Sequence, residues 1–288
     1  TYGVEDCRVT RMEDLDAWGL AYTAYCEHGP GVAVALTEDF ETVERVGLAF
    51  PPDDKDAVLF PRKFNGLYAM LHRPAVGGGS IWIGYSPDLV FWGKTDMVVP
   101  LRGGPWWDGN RVGAGPPPIE TEAGWLLIYH GVKEVVGQPL YRFGAALLDL
   151  NEPHKLIARS RRWLLTPRAP YEQVGDAPNV VFPTGAFVRD EELWTQVVDY
   201  SESYPRGKSD GLGEVNYKQL KSGSITVAGR KIPTASLSSY PKAVEIANIL
   251  KTWIEKGDFL LTEPVAPLPA SGSGYTFNPL KERPKNRG

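Results

Sequence analysis

Cysteine is almost missing from this chain: Cys7 and Cys26 are the only two in 288 residues, so no disulfide framework holds the fold together. An excess of positive charge is missing too. With 31 Lys and Arg against 35 Asp and Glu, the formal net charge is -4, which removes the basic footprint that phosphate-backbone binding requires. No nucleic-acid partner is expected. No apolar run approaches the roughly 20 residues needed to cross a bilayer, and no charged segment followed by an apolar stretch opens the sequence. A soluble cytoplasmic protein without a membrane partner is the expectation. The chain starts with Thr1 almost directly on a motif, from which an upstream segment is expected.

What is plentiful points to β structure. The 25 Pro and 31 Gly supply turns, and 9 Trp, 13 Tyr and 10 Phe supply aromatic surface, a composition that suits sheets around an aromatic cleft. A repeated unit confirms the direction. A glycine leads a hydrophobic strand in Gly19–Tyr25, Gly66–His72 and Gly124–His130, and each is followed by a strand that runs into an acidic turn: Val32–Phe40, Ile81–Leu89 and Phe143–Asp149. The leading glycines lie 47 and 58 residues apart, and Asp39 and Asp88 lie 49 apart. Periods near 50 with several short strands per unit are a signature of propeller blades. A fourth unit begins at Asn179, with its turn at 190–192. The predicted fold is all-β, an incomplete five-bladed β-propeller of about three and a half blades over residues 1–194, followed by a small α+β tail over 195–288. An all-β sandwich with coincidental spacing is the alternative.

The tail reads differently. Residues 199–213 are polar and glycine-rich, as expected of a linker. The alternating run Ser224–Val227, the turn Ala228–Gly229 and the return at Arg230 predict a hairpin. Residues 239–257 predict a helix, with Ser239 as N-cap, Pro241 in the first turn, Gly257 past the end and an apolar stripe through Val244, Ala247, Ile249, Leu250, Trp253 and Ile254. The stretch 264–288 is rich in Pro, Gly, Ser and Lys, which predicts disorder beyond Pro269.

Polar residues at the ends of the repeats are where a site around a propeller axis would be built: Glu5, Asp6, Arg8, Arg62, Lys63, His72, Arg73, Asp108, Arg111, His130, Tyr141 and Arg142. Cations dominate the group. Guanidinium forks and an imidazole suit an anion such as phosphate, whereas glycoside hydrolysis ordinarily uses two carboxylates. If phosphate itself attacks the anomeric carbon, one acid and a basic cradle suffice.

The runs Gly3–Arg8, Leu59–Arg62, Leu71–Pro74, Trp107–Ile119, Tyr129–Gly131, Tyr141–Asp149 and Asn179–Gly185 resemble glycoside hydrolase family 130, whose members are inverting β-mannoside phosphorylases and some β-mannosidases on a five-bladed propeller. The resemblance covers residues 1 to about 194. It implies that Asp6 is the catalytic proton donor, acting through a sugar hydroxyl, and that Arg62, Arg73, Arg111, His130 and Tyr141 bind phosphate. It implies that Arg8, Trp107 and Asp108 serve the sugar, with Asp108 binding a mannose hydroxyl or orienting Arg111. The implied activity is transfer of mannose from a β-mannoside oligosaccharide to inorganic phosphate, which is a co-substrate; no cofactor and no metal are implied, and a homo-oligomer is compatible. The alternatives are a hydrolase of the same fold and a truncated carbohydrate-binding module. For single residues too, plainer readings stay open: Asp6 and Arg8 as a structural ion pair, Trp106 and Trp107 as core, His72 as a packed residue, and Pro116–Pro118 as loop shapers.

Departures from the family pattern are local at Cys7, where proline is usual, and larger at the ends, where a first blade is absent and Thr195–Tyr200 replaces the expected last-blade sequence. The segments 213–217, 220–225, 235–243 and 253–264 resemble the carboxy-terminal part of the homocysteine biosynthesis family, which implies a fusion of two gene fragments. Neither cysteine lies in that segment, so no sulfur-transfer residue carries over.

Overall fold

The structure, a computed structural model, describes residues 3–168, 170–174, 177–189, 192–198, 217–219, 224–227, 230–233 and 259–261. The described residues are almost entirely β. The first sheet is an antiparallel meander of β1 (Val4–Met12), β2 (Ala17–Cys26), β3 (Gly29–Thr37) and β4 (Glu44–Phe50), and the second repeats it with β5 (Asp54–Leu59), β6 (Tyr68–Pro74), β7 (Ile81–Ser86) and β8 (Gly93–Val99). The third has β9 (Arg111–Ala114) and β10 (Ile119–Thr121) both pairing with β11 (Gly124–Val135), then β12 (Gln138–Leu148) and β13 (Leu156–Ser160). Its opening strand is split because Pro116, Pro117 and Pro118 lie between β9 and β10 and have no N–H to donate to a ladder. The fourth sheet holds β14 (Phe182–Arg189), β15 (Glu192–Val198) and β16 (Tyr217–Gln219).

The glycine-led strands of the sequence repeat are β2, β6 and β11, and the strands into acidic turns are β3, β7 and β12. Those turns close by the same chemistry each time. Asp39 Oδ1 accepts the amides of Glu41 and Thr42 at 2.9 and 2.8 Å, Asp88 Oδ1 those of Val90 and Phe91 at 2.9 Å each, and Asp149 Oδ1 those of Asn151 and Glu152 at 2.9 and 2.8 Å. A short carboxylate that caps its own following amides is why an aspartate recurs at this position.

The hydrophobic cores lie between successive sheets. Met12, Val34, Leu59 and Met70 join the first to the second; Val58, Ile83, Val112, Trp125 and Tyr129 join the second to the third; Ile128, Leu147 and Val181 reach from the third to the fourth. Strand β2 alternates buried and half-buried residues, while β11 is buried on both faces for its first nine residues, as befits an interior sheet. Trp125 meets Phe60 and Phe64 edge-on, at centroid separations of 5.2 and 5.6 Å, the geometry ring quadrupoles favour.

The tail hairpin forms as expected, with β17 (Ser224–Val227) antiparallel to β18 (Arg230–Pro233). Strand β15 runs through the expected boundary at 194/195. Beyond it, β16 pairs with β15, and β19 (Phe259–Leu261) pairs with β13, setting Ala158 opposite Leu261 and Ser160 opposite Phe259. The linker at 199–213, the helix at 239–257 and the terminal stretch 264–288 lie outside the described residues. Among the described residues no helix is long and apolar enough to cross a membrane.

Candidate active site

The opening strands of the sheets approach one another, β1 beside β5 and β14, and β5 beside β9. Two of them carry the same irregularity. The ladder of β1 slips between Glu5 and Arg8, that of β5 between Lys55 and Val58, and the bulged residues Asp6 and Asp56 both have φ of 56°. This left-handed conformation is costly for most side chains and better tolerated by aspartate and asparagine. The bulge turns a carboxylate out of the strand's regular alternation.

The two carboxylates sit in different company. Asp6 is half-buried, and among the described residues its carboxylate makes no ion pair: Arg8, beside it, donates from Nη1 to the Asp6 backbone carbonyl at 2.6 Å and from Nε to the Gly115 carbonyl at 3.1 Å. Burial raises the Asp6 pKa above the ordinary carboxylate value. The Arg8 charge opposes the shift, Asp56 adds to it, and Lys55 opposes and Glu5 adds a little more. The Asp6–Arg8 contact is thus backbone-mediated rather than a carboxylate–guanidinium pair. A carboxyl group that keeps its proton to higher pH is suited to donating it.

Asp56 is fully enclosed. Its Oδ2 accepts from Arg73 Nε at 2.7 Å and faces His130 Nε2 at 3.4 Å. Burial works to raise the Asp56 pKa, but the charges of Arg73, His130 and Arg8 and the His130 hydrogen bond outweigh it and hold the carboxyl far below its usual range. The reciprocal effect on Arg73 is upward: burial alone would lower its pKa, and Asp56 more than restores it. Burial keeps His130 below the usual imidazole value despite Asp56. Among the described residues, His130 Nδ1 and Arg8 Nη2 are both buried without a hydrogen-bond partner.

Beside this group, Arg111 Nη2 donates to Tyr141 Oη at 3.2 Å, and the Tyr141 ring lies 6.1 Å from that of His130. Lys55 Nζ pairs with Glu5 Oε1 at 3.2 Å and contributes positive charge to Asp6. A Cβ on Gly113 of β9 would run into Asp56 Oδ2 and His130 Cε1, so only glycine lets this strand pass the cluster.

Four of the five expected phosphate ligands, Arg73, Arg111, His130 and Tyr141, therefore gather with Asp6 and Arg8. Arg62 does not join them. Its guanidinium forks onto Glu120 at 2.9 and 3.0 Å, donates to the Leu150 carbonyl at 3.2 Å, and lies over the rings of Phe64 and Trp125; it staples the loop after β5 to the third sheet. Trp107 is core rather than a sugar platform, stacked on Tyr129 at 5.4 Å and packed so closely on Gly131 that a Cβ there would meet it. Asp108 is wholly buried. It accepts from Arg102 Nε and Tyr129 Oη at 2.7 Å each and lies 3.8 Å from Arg159, so its oxygens are taken by structural partners rather than by a hydroxyl or Arg111. His72 is a packed residue as expected, bonded through Nδ1 to Asp54 at 2.7 Å and stacked on Phe50.

Asp56 and Lys55 went unread in the sequence. The signal was there: Asp56 lies fifty residues after Asp6, one repeat period on, in the same place on the opening strand.

Residues 1–200 match the family described as β-1,4-mannooligosaccharide phosphorylase, and the chain belongs to it, glycoside hydrolase family 130. Residues 180–261 match a second family, described as homocysteine biosynthesis enzyme, sulfur-incorporation; the two matches overlap on β14 and β15. A β-1,2-mannobiose phosphorylase of Listeria innocua is 42% identical over 196 residues, which cover 67% of this chain and 54% of that protein. A solved β-1,2-mannobiose phosphorylase from Listeria innocua, in complex with β-1,2-mannobiose, superposes with a TM-score of 0.63 at 41% identity, covering 68% of this chain and 54% of that one. For the tail, an L-aspartate semialdehyde sulfurtransferase of Methanosarcina acetivorans is 39% identical over 99 residues, covering 34% of this chain and 19% of that protein. The chain spans about half the length of the curated phosphorylases it matches.

Proposed function

We propose that this protein is an inverting β-mannoside phosphorylase, its meanders being blades of a five-bladed propeller. Phosphate attacks the anomeric carbon of a β-mannoside from the face opposite the leaving group. The bond from that carbon to the glycosidic oxygen breaks, a bond to a phosphate oxygen forms, and the leaving oxygen takes a proton that originates on Asp6. The products are α-mannose 1-phosphate and the shortened saccharide. A charged sugar phosphate crosses membranes poorly, so the proposed location is the cytoplasm.

The observation that carries this reading is the contrast between the two carboxylates. Asp6 has its pKa raised, as an acid requires. Asp56 is ion-paired and its pKa is depressed, which leaves it too weak a base to activate water. A hydrolase needs a second, basic carboxylate, whereas phosphate arrives as its own nucleophile, and Arg73, Arg111 and Tyr141 offer donors to hold it.

The test is incubation with β-1,2- and β-1,4-mannobiose, with and without phosphate, followed by detection of mannose 1-phosphate. Phosphate-dependent mannose 1-phosphate is expected, with loss of about 100-fold or more in kcat for Asp6→Asn. Free mannose at equal rates in both conditions would overturn phosphorolysis. Sugar binding without turnover in either would leave a binding module.

A further inference from the structure

Asp56 is a buried carboxylate to which the reaction as written gives no task. Its surroundings are unusually specific. The left-handed bulge on β5 aims it away from its own ladder, Arg73 reaches it from β6, His130 from β11, and Arg8 acts on it from β1. A carboxylate oxygen shared between a guanidinium and an imidazole on different sheets fixes both groups relative to each other. It also decides which imidazole nitrogen carries hydrogen: with ionised Asp56 before Nε2, a neutral His130 is protonated there. Gly113 is cut back so that this contact can form. Arg73 spends Nε on Asp56, and among the described residues its two terminal nitrogens remain available to a ligand as a fork.

We propose that Asp56 is a positioning residue which binds Arg73 and His130 into one rigid unit, so that the Arg73 fork meets phosphate already oriented. The inference rests on the phosphorylase reading and adds to it the group that organises the phosphate site. Rigid placement removes the ordering that two free side chains would otherwise undergo on binding. The same carboxylate also favours retention of the Asp6 proton, alongside Glu5 and against Arg8 and Lys55, so one residue serves both the nucleophile's seat and the acid.

The test is steady-state kinetics of the full chain carrying Asp56→Asn, with both substrates varied over a range of pH. Expected are a KM for phosphate raised by about tenfold or more, a KM for the mannoside unchanged within about twofold, and an alkaline limb of the pH profile moved to lower pH, because Asp6 loses a neighbouring negative charge. An anchor of purely structural effect would lower the melting temperature and the fraction of active enzyme while leaving KM and the limb where they were, and that result overturns the proposal. Should Asp56→Asn not fold, Asp56→Glu keeps the charge and displaces it by one methylene; a raised phosphate KM with an unmoved limb supports positioning, and an unchanged KM overturns it. Phosphate-independent mannose release by the unaltered protein would instead sink the phosphorylase reading, a separate outcome.

Discussion

Asp108 offers the sharpest division between a residue that holds the fold and one that holds a sugar. Replacing it by asparagine keeps its outline and removes its charge. Arg102 and Arg159, whose side chains are each 6% exposed, then face a neutral amide in a place water does not reach. Removing one partner of a buried pair costs about 3–5 kcal/mol, because the remaining charge is left uncompensated. For a domain of about 200 residues, each kcal/mol moves the melting temperature by about 2–4 °C, so Asp108→Asn should melt roughly 6–20 °C lower. Thermal unfolding followed by circular dichroism measures this. Replacing both Asp108 and Arg102 by apolar residues, Asp108→Leu with Arg102→Met, should restore part of the loss, since that pair then leaves no charge to solvate. A melting temperature within about 2 °C of the parent, coupled with a raised KM for the mannoside, would refute the reasoning and return Asp108 to the sugar site.

Arg62→Ala should be mild by comparison. Its partner Glu120 is 41% exposed, and pairs of that kind contribute at most about 1 kcal/mol; initial-rate measurements should find the phosphate KM unchanged within about twofold. His130 predicts a pH dependence of stability. Its folded pKa lies below the unfolded value of about 6.5, so the unfolded chain binds the extra proton and stability is fully present above that pH and declines as pH falls through it. Asp56, also depressed, extends the loss below about pH 4. Melting curves between pH 8 and 5 should show this slope, and His130→Gln should flatten it; an identical slope in that variant would contradict the assignment.

Local chemistry was legible in the sequence, and cross-sheet chemistry was not. The strands of the repeat, the aspartate turns at Asp39, Asp88 and Asp149, the proline break before Ile119 and the tail hairpin each depend on residues within a few positions of one another. Asp6 and the group around it could be read because their motifs are short. Arg62 misled because a lone arginine near a strand end looks the same whether it meets an anion or, as here, Glu120 across 58 positions. Asp108 and Trp107 misled for a like reason: polar and aromatic residues in a glycine-rich run suit a cleft, but Arg102 of the same loop, with Tyr129 of β11 and Arg159 of β13, encloses them. Asp56 escaped because its meaning comes from Arg73 and His130, and nothing in the run Lys55–Asp56–Ala57 reveals that a guanidinium and an imidazole converge on it.

The paired creases in β1 and β5 bear on how such a site can change. One backbone deformation, made twice, delivers an oxygen pair to comparable spots, and burial weighed against the neighbouring cations determines whether that pair keeps its proton or becomes a fixed anion. Chemical identity here is thus assigned by neighbourhood and not by local chain shape.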